Sequence, residues 1–107
     1  MAARVLVNVP TAAKRGEVVE IKALIAHPME TGYRVGAEGQ MLPRDIITRF
    51  SCAYAGVEVF SADLYPALTA NPYLAFTTLA TETGDLVFTW EGDNGFHQTH
   101  TARLTVA

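Results

Sequence analysis

The chain has 107 residues, half of them apolar and 18% charged, with a formal net charge of −3 at pH 7. That is the length of one ordinary domain with one core, and it is too apolar for disorder. The longest basic run is Lys14-Arg15 and no apolar run reaches the length of a membrane span, so neither nucleic acid nor membrane insertion is expected.

The first element in chain order is "RVLVNVP", a strand closed by Pro10. It does not have the shape of a secretory signal: the apolar run Val5–Val9 is short, Asn8 interrupts it, and Arg4 stands alone. The second, "GEVVEIKALIAH", puts Val19, Ile21, Ala23 and Ile25 on one face and Val18, Glu20 and Lys22 on the other. A period of two marks a half-buried strand. A long connection runs from Pro28 to Pro43, with Gly32, Gly36 and Gly39 along it.

"RDIITRFSCAYAG" is the next strand, with Ile46, Thr48, Phe50, Cys52 and Tyr54 on one face, and Ala55-Gly56 turns it into "VEVFSA". Residues Ala62–Thr69 have room for one helical turn at most, because Pro66 stops anything longer. "YLAFTTLAT" follows a Pro/Asn-rich connection. In "LVFTWE", Leu86, Phe88 and Trp90 share a face, which makes Trp90 a central core residue. Asp93-Asn94-Gly95 between that run and "FHQTHTARLTVA" is the strongest hairpin signal in the chain.

Short strands at regular spacing, punctuated by Gly, Pro and Asn, predict an all-β fold: an immunoglobulin-like antiparallel sandwich of about seven strands, one domain over residues 1–107. Cys52 is the only cysteine, so there is no internal disulfide. The Cys…Trp…Cys pattern of true immunoglobulin domains is missing, and the likeness is one of architecture.

The reactive residue types do not assemble into a site. His97 and His100 lie three apart on a strand, so their side chains leave opposite faces and cannot share a metal. His27 and Glu30 form a His-x-x-Glu pair with no third ligand near them. Glu91 and Asp93 open a calcium-loop spacing, but the twelfth position, where a bidentate Glu belongs, is Ala102. Cys52 shares a face with Phe50 and Tyr54 and reads as a core thiol, the alternative being a disulfide to a partner. No nucleophile elbow, phosphate loop or dinucleotide fingerprint occurs. No catalytic residue, cofactor or metal site is expected.

One stretch carries more apolar bulk than a small sandwich covers. "YLAFTTLA" has Tyr73, Ala75 and Leu79 on one face and Leu74, Phe76 and Ala80 on the other, and the segment before it adds Val59, Phe60, Leu64, Tyr65 and Leu68. Exposed contiguous apolar surface marks a partner interface. The expected anchors are Phe60, Leu64, Tyr65, Tyr73, Leu74 and Phe76, and the competing reading is a central strand covered by the long connection. The loop "HPMETG" is expected to dock a partner through His27, Met29 and Glu30, the methionine serving as an adaptable contact.

"IKALIAHPMETG", "LPRDIITRFSCAYAGVEVFSADLYPALTANPYLAF" and "TGDLVFTWEGDNG" together resemble the SoxZ family, the smaller subunit of the SoxYZ sulfur-carrier complex of thiosulfate oxidation. The likeness runs from about Arg4 to the C-terminus in family order and spacing. It implies an immunoglobulin-like sandwich acting as a non-catalytic scaffold for a SoxY-like partner. That partner would carry covalent sulfur intermediates on a cysteine in a glycine-rich C-terminal arm. Here the C-terminus is "TARLTVA", with neither cysteine nor glycine. The resemblance further implies indirect contact with the other thiosulfate-oxidising enzymes, and a periplasmic location reached by co-export with a signal-bearing partner. The alternative is a stand-alone β-sandwich binding module for a small ligand or metal, homodimeric in form.

Overall fold

The computed structural model describes residues 3–66 and 70–107. Its strands are β1 (Val5–Asn8), β2 (Ala12–Ala13), β3 (Val18–Ile25), β4 (Ile47–Tyr54), β5 (Val57–Asp63), β6 (Tyr73–Leu79), β7 (Gly84–Gly92) and β8 (His97–Val106). They form a three-stranded sheet in the order β1-β3-β6 and a five-stranded sheet in the order β2-β8-β7-β4-β5. This is the expected immunoglobulin-like sandwich. The strand beyond the predicted set is β2, two residues that pair parallel with β8 after Pro10 has ended β1. The chain thus leaves the small sheet and joins the edge of the large one.

Alternation builds the core. Val19, Ile21, Ala23 and Ile25 of β3 all point inward, as do Leu86, Phe88 and Trp90 of β7. Phe50 of β4 lies between them, its ring 5.3 Å from that of Trp90 and 6.2 Å from that of Phe88. Fully burying each such side chain contributes roughly 1.5–3 kcal/mol, which makes this aromatic cluster the anchor of the fold. Cys52 sits beside it, paired across the sheet with Phe60 and Phe88 and fully buried. Burial pushes its thiol up to about 12, so at neutral pH it is a protonated core residue.

The start of β4 departs from the expected alternation. Ile46 and Ile47 are both buried while Thr48 is half-buried, because the ladder with β7 shifts between Ile47 and Arg49. Gly92 allows it: a Cβ there would stand 2.5 Å from the carbonyl oxygen of Ile46. The hairpin turns fall where the sequence places them. Ala55 and Gly56 (φ 51° and 84°) join β4 to β5, and Asn94 and Gly95 (φ 60° and 74°) join β7 to β8.

β6 is neither central nor covered by the long connection, since it pairs with β3 alone and forms an edge of its sheet. Of the helical turn allowed for at 62–69, residues 67–69 lie outside the described residues, Leu68 among them, and β5 itself continues to Asp63.

Candidate functional site: a partner interface

The long connection is an irregular hairpin, a finger. At its base Glu30 and Asp45 exchange both backbone hydrogen bonds, at 2.8 and 2.7 Å. Further out the Leu42 N–H donates to the Arg34 carbonyl (2.9 Å) and the Gly36 N–H to the Gln40 carbonyl (2.7 Å), closing the tip.

The base of the finger is packed into the core. Met29 adopts φ 52°, a left-handed conformation unusual for a long side chain. Two contacts hold it there. Its N–H donates to His27 Nδ1 at 3.0 Å, and its Sδ accepts the N–H of Ile47 at 3.2 Å. His27 is buried as well, its ring edge-on to Phe96 at 5.2 Å and its backbone bonded in both directions to Asn71. The expectation that His27 and Met29 offer themselves to a partner is therefore corrected. Met29 is only 4% exposed, and both side chains plug the finger into the sandwich.

Glu30 is tied to Arg34 at 2.6 Å, and the hydrogen bond from that guanidinium holds its carboxyl below the usual carboxylate range. Arg44 makes a bidentate pair with Asp93, both bonds 2.8 Å, and the Ile46 N–H donates to the same carboxylate. The pair fastens the finger to the β7–β8 turn and holds Asp93 below its usual range, with Arg44 the main cause. What the finger does expose is Tyr33, Val35 and Met41. Their signal in the sequence is weak: Tyr33 and Val35 lie between Gly32 and Gly36, and Met41 follows Gly39.

The expected interface segment divides in two. Leu64 and Phe76 are buried in the core, a correction to their assignment as partner contacts. The sandwich closes over them because Phe60 of β5 stacks on Phe76 of β6 at 4.4 Å, bridging the two sheets at their open side. Phe60 and Leu74 are half-buried against the same cluster. Tyr65 and Tyr73 remain exposed.

Tyr73 belongs to a larger surface. On the outer face of the three-stranded sheet, register places Leu6, Leu24 and Tyr73 in one row across β1, β3 and β6. Leu6 is 68% and Tyr73 55% exposed. Toward the other end Val18 and Leu79 pair across the strands, both exposed. Between the two apolar ends stand Glu20 and Lys22, 3.4 Å apart. Leu79 was expected on the face of Tyr73 from the alternation of β6, whereas only strand pairing reveals that Leu6, Val18 and Leu24 share that face.

The polar candidates do not converge. His97 points outward and His100 inward against Phe88, as their spacing predicts. Among the described residues no three His, Cys, Asp or Glu side chains come together in a way that would hold a metal ion. The Asp93 carboxylate is taken up by Arg44 and the Ile46 N–H.

The profile of the family described as "Sulphur oxidation protein SoxZ" matches residues 7–103. The chain belongs to the SoxZ family. Comparison with curated proteins finds no match. Among solved structures, the sulfur carrier protein SoxY from Chlorobium limicola f thiosulfatophilum superposes with a TM-score of 0.69 at 16% identity, over 96% of this chain and 78% of that one. A superoxide reductase (neelaredoxin) from Ignicoccus hospitalis gives 0.76 at 15% identity, over 98% of this chain and 82% of that one. A putative superoxide reductase from Thermotoga maritima gives 0.75 at 14%, over 96% and 85%. At such identities the likeness shows a shared sandwich and carries no chemistry with it. Family membership places the SoxZ chain among the proteins of sulfur oxidation and agrees with a scaffold role.

Proposed function

We propose that this SoxZ-family chain is the non-catalytic subunit of a heterodimeric sulfur-carrier complex, holding a SoxY-like partner during thiosulfate oxidation. The observation that carries the reading is the outer face of the three-stranded sheet. An antiparallel sheet that faces water normally does so with polar residues. This one presents the row Leu6–Leu24–Tyr73 and the pair Val18–Leu79. Large apolar side chains left in water have a standing cost, which a partner removes, and aromatic anchors such as Tyr73 tend to dominate such contacts. Tyr65 and the finger residues Tyr33, Val35 and Met41 are further exposed contacts for the partner or for the enzymes that process its cargo.

In this reading the covalent chemistry belongs to the partner. Cys52, buried and with its thiol pushed up to about 12, is unfit to hold sulfur intermediates. The complex works in the periplasm and reaches it by co-export with a partner that carries the signal. An activity of the superoxide reductase type has only fold likeness behind it and is not favoured.

Co-expression with a SoxY-like chain, followed by size-exclusion chromatography, tests the proposal. The expected result is one stable complex of the two chains that Leu6→Glu with Tyr73→Glu disrupts. Two folded chains that elute separately would overturn it. For export, deleting the partner's signal should leave both chains in the cytoplasm; unaided appearance of this chain in the periplasm would refute co-export.

A further inference from the structure

We propose that two copies of this chain pair antiparallel along their β6 edges, joining their three-stranded sheets into one continuous sheet. The inference starts from the open edge of β6, and its size argument rests on the partner reading above.

A sheet edge offers unpaired N–H and C=O groups to any strand that arrives, so edges are normally kept short, charged or bulged. Three of the four edges here are managed in that way. β1 has 4 residues and β2 has 2. β5 faces a register shift between Cys52 and Ala53, and its Glu58 and Asp63 are both held by Arg49. β6, "YLAFTTL", is 7 residues long with no charged residue, no proline and no register break against β3.

The free groups can be named. The Ala80 N–H donates to the Glu17 carbonyl, and the Ile25 N–H to the Pro72 carbonyl, so even-numbered positions turn toward β3. In an antiparallel ladder the alternate residues turn the other way, and Tyr73, Ala75, Thr77 and Leu79 direct their backbone groups at the open edge. Among the described residues nothing bonds to them there.

That edge is self-complementary. With a two-fold axis at Phe76, Tyr73 stands opposite Leu79 of the second copy and Ala75 opposite its Thr77, and the groups that point outward are those the ladder uses. No like charges meet. Tyr73 and Leu79, both half or more exposed in the single chain, become a cross-strand aromatic–aliphatic pair. The row Leu6–Leu24–Tyr73 then runs on into Leu79 and Val18 of the other copy as one apolar line.

Size points the same way. One three-stranded face is about 14 Å by 23 Å, roughly 300 Å² in projection. A standard interface takes about 800 Å² from each partner. Pairing through β6 doubles the face without altering either fold.

The test is sedimentation of the full chain over a range of concentrations, combined with residue-resolved amide exchange. The expected mass rises from one chain to two. As it does, the amides of Tyr73, Ala75, Thr77 and Leu79 gain protection, while those of Leu74, Phe76 and Thr78 are protected throughout. The double variant Ala75→Lys with Thr77→Lys, and its counterpart Ala75→Glu with Thr77→Glu, should each be monomeric with the β3-facing amides still protected. Mixed in equal amounts, they should pair at least about tenfold more tightly than either alone, because each introduced lysine then faces a glutamate. A chain that stays monomeric, or a dimer whose β6 edge amides exchange freely, overturns the proposal. So does protection of those amides only on adding a SoxY-like chain, which would assign the incoming strand to the partner.

Discussion

The two outer faces of the sandwich obey the same period of two and end up with opposite chemistry. Outside the five-stranded sheet stand Arg49, Ser51, Asp63, Thr89, Thr99, Thr101 and the cross-strand pair Asp85–Arg103 at 3.2 Å, and among the described residues Val87 is the one large apolar side chain exposed on that face. Outside the three-stranded sheet stand Leu6, Val18, Leu24, Tyr73 and Leu79, with Glu20 and Lys22 between them. The larger sheet is finished as a water-facing surface. The smaller one leaves large apolar side chains exposed to water. The inner faces do not differ in this way: Phe50, Phe88 and Trp90 of the larger sheet and Phe76 of the smaller one are all buried, and Phe50 meets Phe76 at 6.1 Å.

The largest expected effect comes from charging the two faces in parallel. Leu6→Glu with Tyr73→Glu should weaken a complex with a SoxY-like chain by about 3–5 kcal/mol, through two lost anchors and two buried unpaired charges. Thr99→Glu with Thr101→Glu, on the polar face, should leave the affinity within about 0.5 kcal/mol. Titration calorimetry of both double variants decides it, and equal losses would erase the distinction between the faces.

The next effect separates the finger's plug from its surface. Met29→Ala empties a buried site and removes the acceptor of the Ile47 N–H, so urea unfolding should show a loss of about 2–4 kcal/mol. Met41→Ala, at an exposed site on the same finger, should change stability by less than about 0.5 kcal/mol. Similar losses from both would mean that the finger tip is packed in solution.

Beneath both faces, Cys52→Ser should cost about 1–3 kcal/mol, since a hydroxyl is more expensive to bury than a thiol. Thiosulfate-dependent electron transfer in the reconstituted complex should be unchanged. Loss of turnover in a folded complex would return Cys52 to the chemistry.

The smallest effect is electrostatic and local. Arg44 depresses the folded-state pKa of Asp93, so the carboxylate's contribution is present above the unfolded value of about 3.9 and is lost as the pH falls through the lower folded one. Thermal unfolding from pH 5 to pH 2 should therefore fall less steeply for Asp93→Asn than for the parent. Glu30, held down by Arg34, adds in the same direction.

Local pattern carried much of this structure. Alternation in "EVVEIKALI" and "LVFTW" marked the inward residues of β3 and β7, the glycines and Asn94 marked the turns, and the sandwich followed from their spacing. The candidate site was legible only in part. Tyr65 and Tyr73, expected as interface anchors, are exposed, whereas Leu64 and Phe76 are core and His27 and Met29 are the plug of the finger. Leu6 and Val18 carry no interface signal in the sequence, being single apolar residues on strands that pair with distant partners.

The sequence by itself determined which residues of a strand share a face, because side-chain direction alternates within any extended chain whatever surrounds it. Only the tertiary structure decided which face is covered, which strand forms an edge, and where a loop's methionine goes. Those outcomes depend on pairings such as Leu24 with Tyr73 and Phe60 with Phe76, set by packing between segments far apart in the chain. A period of two says that β6 has two apolar faces. The sheet order β1-β3-β6 and the stacking of Phe60 on Phe76 bury one of them and leave the other open.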